Sequence, residues 1–176
     1  MRYIKNIIIL LFILKTSIIA NDFQNLKSFE ASFTQTITNA SGNQVIYNGT
    51  LHILEPNKIK WQYQNPIEKS VYIKKYTVTI IEPELEQVII TKLDKEINIL
   101  NLLKNAKAIS NNTYLSHFNN VDYSLQLKGN ILTQISYQDE IENDVIISFK
   151  NVLQNHKIDL DTFKFYIPSD FDIIKK

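Results

Sequence analysis

A mainly β fold, an antiparallel meander with a few helical turns, is what this sequence predicts, and three observations carry the prediction. Apolar and polar residues alternate with period two from Phe29 onward. Short clusters rich in Gly, Asn, Asp and Pro separate the alternating segments. Only one stretch, beginning at Asp94, has helical spacing over several turns. Strands joined without long helices between them are antiparallel neighbours. At 176 residues the chain predicts one domain. A folded chain of this size buries roughly 70% of the surface its unfolded form exposes, enough to do without metal or disulfide.

In chain order, Asp22 is placed to cap a short helix that puts Phe23, Leu26 and Phe29 on one side. Phe29, Ala31, Phe33, Gln35 and Ile37 then face one way and Glu30, Ser32, Thr34, Thr36 and Thr38 the other, the pattern of a half-buried strand. Asn39 to Asn43 supplies a turn, and a second strand runs from about Gln44 to Leu54. The next stretch sets Ile59, Trp61 and Tyr63 against Lys58, Lys60, Gln62 and Gln64, so one face is apolar and aromatic. Further strands are predicted at Val71 to Tyr76, Thr77 to Glu82 and Glu86 to Lys92, the last two separated by the turn Pro83-Glu84-Leu85. The segment Asp94 to Ile109 places Ile97, Leu100, Leu103, Ala106 or Ala108, and Ile109 at helical spacing and predicts an amphipathic helix of about four turns. Strands resume at Val121 to Leu127 and Ile131 to Tyr137, joined by a Gly129-Asn130 turn. Val145, Ile147 and Phe149 form another, and Phe163, Phe165 and Ile167 before Pro168 form the last. No linker, tandem repeat or long charge block divides the chain.

The first twenty residues differ from the rest. Basic Arg2 and Lys5 precede a nearly all-apolar run from Asn6 to Leu14, too short to span a bilayer as a helix, and Ala20 is a small residue suited to cleavage. Residues 1–20 thus predict a secretory signal peptide; the competing reading is a membrane anchor that starts at Ile4 and tolerates Lys15. Cleavage removes Arg2, Lys5 and Lys15 and leaves sixteen basic against eighteen acidic side chains, a net charge of −2. Export usually leaves a mark in cysteine usage, yet the chain has none, neither for a disulfide nor for lipid attachment after a signal peptide. Arg2 is the sole arginine. Near-neutral charge without arginine argues against a nucleic-acid partner.

Catalytic and metal-binding patterns are missing. His52, His117 and His156 are far apart in sequence, with no spacing that suits a metal. Gly42, Gly49 and Gly129 form no phosphate-binding loop, and no Gly-x-Ser-x-Gly elbow occurs. Asp139, Glu140, Glu142 and Asp144 crowd one predicted hairpin loop, which reads as a solvated turn, not as an acid/base pair. An Asn-x-Ser/Thr triplet begins at each of Asn39, Asn48 and Asn111, as expected by chance in an Asn-rich chain. What remains is a one-sided sheet that must cover its apolar face. A closed barrel or sandwich with an aromatic core does so. A curved, incompletely closed sheet with helices over a lipid-sized cavity does so too, and periodicity does not choose between them.

A succession of short motifs resembles the family of periplasmic outer-membrane lipoprotein carrier proteins, LolA. These are Phe29-Glu30-Ala31-Ser32-Phe33-Thr34-Gln35, Tyr47-Asn48-Gly49-Thr50-Leu51, then Pro56 followed by Trp61, Tyr63 and Pro66. Glu82-Pro83-Glu84-Leu85-Glu86-Gln87 resembles the family's Tyr-x-Pro-x-x-x-Gln turn, and Phe163 to Pro168 its closing strand. The motifs span most of residues 21–176 in the family's order. The resemblance implies an unclosed antiparallel β-barrel, a half-barrel, with a helical lid over a hydrophobic cavity. It implies a periplasmic chaperone, not an enzyme, acting as a monomer without cofactor or metal. Such a carrier shields the acyl chains of lipoproteins released by the inner-membrane transporter LolCDE and hands them to an outer-membrane acceptor such as LolB. By resemblance and strand parity, Phe33, Tyr47, Leu51, Ile59, Trp61, Tyr63 and Ile73 line the acyl-chain site, and Ile97, Leu100, Leu103 and Ile109 belong to the lid. The same half-barrel also resembles lipoprotein-sensing regulators that bind an anti-sigma factor, which usually carry a further C-terminal domain.

One departure from the family stands beside the first proline. Well-studied members have there an arginine that hydrogen-bonds to lid carbonyls and keeps the cavity closed. Here the residue is Glu55, an acceptor-only carboxylate. An arginine latch is therefore not expected. Glu55 has three courses open: to accept N–H groups at a lid-helix N-terminus, to pair with a lysine, or to be solvated at a strand end.

Overall fold

The computed structural model describes residues 22–93 and 99–176. A single sheet of twelve strands dominates it: β1 (Ser28–Thr38), β2 (Gln44–Leu54), β3 (Lys58–Asn65), β4 (Lys69–Lys74), β5 (Thr77–Glu82), β6 (Gln87–Lys92), β7 (Lys107–Ser110), β8 (Thr113–Phe118), β9 (Val121–Lys128), β10 (Ile131–Gln138), β11 (Asp144–Gln154) and β12 (Asp172–Lys175). Among the described residues one α-helix, α1 (Ile99–Asn105), interrupts the series. The strand order is β12-β6-β5-β4-β3-β2-β1-β11-β10-β9-β8-β7. Two antiparallel meanders, β1 to β6 and β7 to β11, are thus joined where β1 pairs with β11, and the sheet stays open between β12 and β7.

Turn chemistry sets the register. Asn39 and Asp139 build the β1–β2 and β10–β11 turns alike. Each side chain accepts from the backbone N–H two and four residues on, at 3.0 and 2.9 Å for Asn39 and the same for Asp139. Gly42 and Glu142 take the left-handed position in the two turns, at φ of 81° and 66°. Asn119 and Asn120, at φ of 50° and 61°, make the two-residue β8–β9 turn.

The inner face carries the core. Phe29, Ala31 and Phe33 of β1, Leu51 and Ile53 of β2, Leu125, Leu127, Leu132 and Ile135 of β9 and β10, and Val145, Ile147 and Phe149 of β11 are buried together. Leu100, Leu102 and Leu103 of α1 press into this core with Phe23 and Leu26. The predicted N-terminal helix is a 3-10 turn, Asp22–Asn25.

After β11 the chain crosses the outer face as a strap. Ser28 Oγ donates to the His156 carbonyl at 2.7 Å, His156 Nε2 lies 3.0 Å from Glu30 Oε2, and the Phe165 and Tyr72 rings are 4.7 Å apart. Glu30, His52, Lys60 and Tyr72 are successive cross-strand neighbours on that face, so the strap follows one row of the sheet. This corrects the expected closing strand. Leu160–Phe163 is a 3-10 turn with Asp159 as its cap, and Phe165 packs on the sheet without pairing into it. The strand that does add at the edge is β12, parallel to β6.

The predicted helix over Asp94 to Ile109 is also corrected. Residues 94–98 lie outside the described residues, Ile97 among them, and α1 ends at Asn105. Lys107–Ser110 turns into β7, paired with β8 through Ala108↔Tyr114 and Ser110↔Thr113 around Asn112, at φ of 61°. Ile109 is consequently 59% exposed on an edge strand and is no part of a lid.

Candidate functional site: an apolar cavity under a short helix

On the inner face of β1 to β3, Phe33 stands edge-on to Trp61 and Tyr63, with ring centroids 5.0 and 5.2 Å apart, and Tyr47 meets Tyr63 at 5.7 Å. Gly49 makes this cluster possible. A Cβ there would lie 2.0 Å from the Gln62 carbonyl oxygen and 2.9 Å from Phe33 Cε1. The register shifts at Asn48/Gly49, and the bare backbone lets the Phe33 ring reach across β2 to the β3 aromatics. Lys69 lies over the Tyr63 and Tyr47 rings, its Nζ 4.6 and 5.4 Å from their centroids. Tyr63 Oη donates to Gln35 Oε1 at 3.2 Å. Burial first, then Tyr137 and Tyr47 nearby, push the Tyr63 phenol up to about 12.

Next to this cluster is a cavity of ≈ 210 Å³ lined by Ile53, Ile59, Trp61, Ile73, Val78, Leu93 and Ile99. Every lining side chain is apolar apart from the indole N–H. Ile53, Ile59, Ile73 and Val78 form one cross-strand row over β2 to β5, and Ile99 opens α1 above them. The cavity is smaller than the roughly 300–1,000 Å³ of ligand pockets.

Of the residues expected at the acyl site, Ile59, Trp61 and Ile73 line the cavity. Tyr63, Tyr47 and Phe33 do not line it but form the aromatic cluster beside it, the first two half-buried and Phe33 3% exposed, and Leu51 is fully buried in the core. Sequence reading left out Ile53, Val78, Leu93 and Ile99. Ile53 shares the parity of Leu51, and Val78 sits opposite Ile73, so a register would have found both. Of the lid residues, Leu100 and Leu103 are fully buried beneath α1.

Glu55 follows β2. Its backbone N–H donates to the Lys27 carbonyl at 2.9 Å. Lys104 Nζ, from the last turn of α1, donates to its Oε1 at 2.5 Å, and Lys27 Nζ lies 3.8 Å from Oε2. The Glu55 and Lys104 side chains are only 19% and 18% exposed. Among the three courses open to Glu55, the geometry is the lysine pair, and it ties α1 to the end of the sheet. Asp139 sits in a turn, as expected; backbone and side-chain donation from Asn143 hold its carboxyl below the usual range. Among the described residues no group of His, Asp and Glu is arranged to hold a metal ion, and no helix is long and apolar enough to cross a membrane.

An open, mainly antiparallel sheet, apolar and aromatic within and with a short helix beside its cavity, defines a class of half-barrel proteins built around an internal apolar cavity. The profile of the family described as "Outer membrane lipoprotein carrier protein LolA" matches residues 24–166. The chain is 38% identical over 151 residues to the outer-membrane lipoprotein carrier protein of Campylobacter jejuni, covering 86% of this chain and 88% of that one. It is 32% identical over 153 residues to the protein of the same name from Helicobacter hepaticus, covering 86% of each. Among solved structures, a LolA superfamily protein from Nitrosomonas europaea shares the fold at a TM-score of 0.50 and 6% identity, over 83% of this chain and 94% of that one. An uncharacterized conserved protein from Thermus thermophilus does so at 0.55 and 9%, over 88% and 94%. The chain belongs to the LolA family of outer-membrane lipoprotein carriers.

Proposed function

We propose that this chain is a periplasmic carrier that takes up the acyl chains of lipoproteins on the inner face of its half-barrel and delivers them to the outer membrane. The observation that carries the reading is the apolar cavity under α1, lined by Ile59, Trp61 and Ile73. Each methylene buried contributes about 0.8 kcal/mol, so acyl chains leave a bilayer only for an equivalent apolar solvent. The cavity wall is that solvent. Binding and release are non-covalent, and the chain works as a chaperone, not as an enzyme. Cargo arrives from the inner-membrane LolCDE transporter and leaves to an acceptor that binds it more tightly, LolB or an equivalent; differential affinity sets the direction. Residues 1–20 direct export and are removed near Ala20. On this reading α1 moves to enlarge the cavity for loading, and the Glu55–Lys104 pair is its latch.

Trp61 is the sole tryptophan, which makes the test direct. An apolar fluorescent probe is expected to accept energy from Trp61, and purified triacylated lipoprotein to displace it. Trp61→Asp is expected to cut probe and lipoprotein binding more than it lowers the denaturation midpoint. Equal or greater loss of stability with binding retained would assign Trp61 to the core alone.

A further inference from the structure

We propose that the lysine-bearing end of the molecule, where the strap crosses β3 and β4, docks onto an anionic phospholipid leaflet. Lys58 and Lys74 are direct cross-strand partners. Like charges placed opposite one another are unfavourable, and among the described residues no carboxylate pairs with either. With Lys164 they ring a groove of ≈ 240 Å³ whose wall includes Tyr72, Phe163 and Phe165. Lys164 is itself paired with Asp161 at 2.6 Å, which leaves the Lys58–Lys74 pair as the uncompensated charge. A soluble anion has no use for the aromatic wall, and a bare acyl chain none for the lysines. An amphiphile with an anionic head uses both. Around the groove, Leu160, Phe165 and Tyr166 are 56%, 43% and 79% exposed on the strap, and aromatic side chains of this kind settle at headgroup level.

Charge segregation along the strands points the same way. The β5–β6 and β10–β11 turns, at the opposite end of the strands, carry Glu82, Glu84, Glu86, Asp139, Glu140 and Glu142. The end with Lys58 and Lys74 adds Lys75 in the β4–β5 turn and Lys92 opposite Thr77. A chain polarised in this way turns its basic end toward a negative surface and its acidic end away. The groove shares Ile59 and Ile73 with the cavity, but Lys58, Lys74 and the strap residues that carry the inference are not among the cavity's lining, so it stands independently of the cargo reading.

The test is co-sedimentation of the unloaded chain with vesicles of phosphatidylcholine, with and without phosphatidylglycerol. The expected result is partitioning onto the phosphatidylglycerol vesicles that weakens as salt rises. Lys58→Gln/Lys74→Gln is expected to lower it about 25-fold, roughly fivefold per lysine near an anionic surface. Tyr166→Ser is expected to lower it further. Glu140→Gln/Glu142→Gln, at the far end, makes the net charge more positive by two and is expected to leave partitioning nearly unchanged. Near-ultraviolet circular dichroism and loading of an apolar probe check that the lysine variant is folded and still takes up ligand. Equal partitioning onto both vesicle types, an unaffected lysine variant, or a far-end variant that shifts partitioning as much as the lysine variant would each overturn the proposal.

Discussion

Gly49 illustrates how one residue decides the site. Its position is forbidden to any side chain by the Gln62 carbonyl and the Phe33 ring, not by backbone torsion. Gly49→Ala is expected to cost about 3 kcal/mol or more, because the obstacle is backbone and not a side chain that can swing away. Denaturant titration followed by Trp61 fluorescence reads both the lost stability and the disturbed aromatic cluster. Glu55 acts at the same scale through its contact with Lys104. A hydrogen bond to a charged group contributes about 1–3 kcal/mol, enough to bias a two-state lid without locking it. Glu55→Gln and Lys104→Gln are each expected to speed lipoprotein release, and the double variant to do no more than either alone. Additive effects in stopped-flow release would show that the two residues do not act as a pair. Burial raises the pKa of the buried Tyr123 and pushes the half-buried phenols Tyr63 and Tyr137 up to about 12. With folded values above the unfolded value of 10.0, their contribution to stability is complete below pH 10 and is lost as pH rises from there toward 12. Ultraviolet titration is expected to show Tyr63, Tyr123 and Tyr137 ionising late, together with unfolding.

At the scale of elements, α1 is the piece whose position matters, since Ile99 caps the cavity and Lys104 anchors the helix. Cysteines at positions 55 and 104, joined by a reducible bis-maleimide, are expected to block probe loading until the linker is cut; unimpeded loading in the joined form would mean that α1 is fixed core. The strap has its own fastening, in which His156 and His52 approach the Glu30 carboxylate at 3.0 and 3.8 Å. Burial lowers the His52 pKa, with Lys60 and His156 adding to the effect and Glu30 opposing it. A histidine whose folded value is depressed leaves stability intact above its unfolded value of 6.5 and removes it as pH falls below that. His52→Gln is expected to flatten this acid-side loss in thermal melts. Most strands were legible in the sequence because alternation and turns agree: β1, β2, β3, β5, β9 and β10 are where the pattern puts them. β8 was missed because its inward positions are Tyr114, Ser116 and Phe118 while Leu115 faces out, so the alternation is masked. β7 carries a helix-like pattern because Ala108 and Ile109 extend the apolar spacing of α1, and only pairing with β8 distinguishes the two. The cavity was half legible. Parity identifies inward residues, but only the curvature of the sheet and the seat of α1 separate those that line a space from those, like Leu51, buried in the core.

Among the described residues the sheet ends in two edge strands, β7 and β12, each paired on one side only, each four residues long and each bearing a lysine, Lys107 and Lys175. Short edges with charge on them resist pairing with another chain. Sedimentation is therefore expected to find a monomer at micromolar concentration, and a concentration-dependent dimer would point to edge pairing. The seam between β1 and β11 has a consequence for how the chain comes to its folded state. β1 lies in the middle of the sheet, yet its partner on one side is among the last strands to be made, with Phe33 opposite Phe149. The first meander can zip strand by strand through short loops, whereas the seam must wait for a loop of more than a hundred residues to close, and such closures are slow. During that interval the apolar inner face is uncovered and adhesive. The time to assemble the seam, more than the stability of the finished molecule, is then what determines how long a newly made chain is exposed to aggregation.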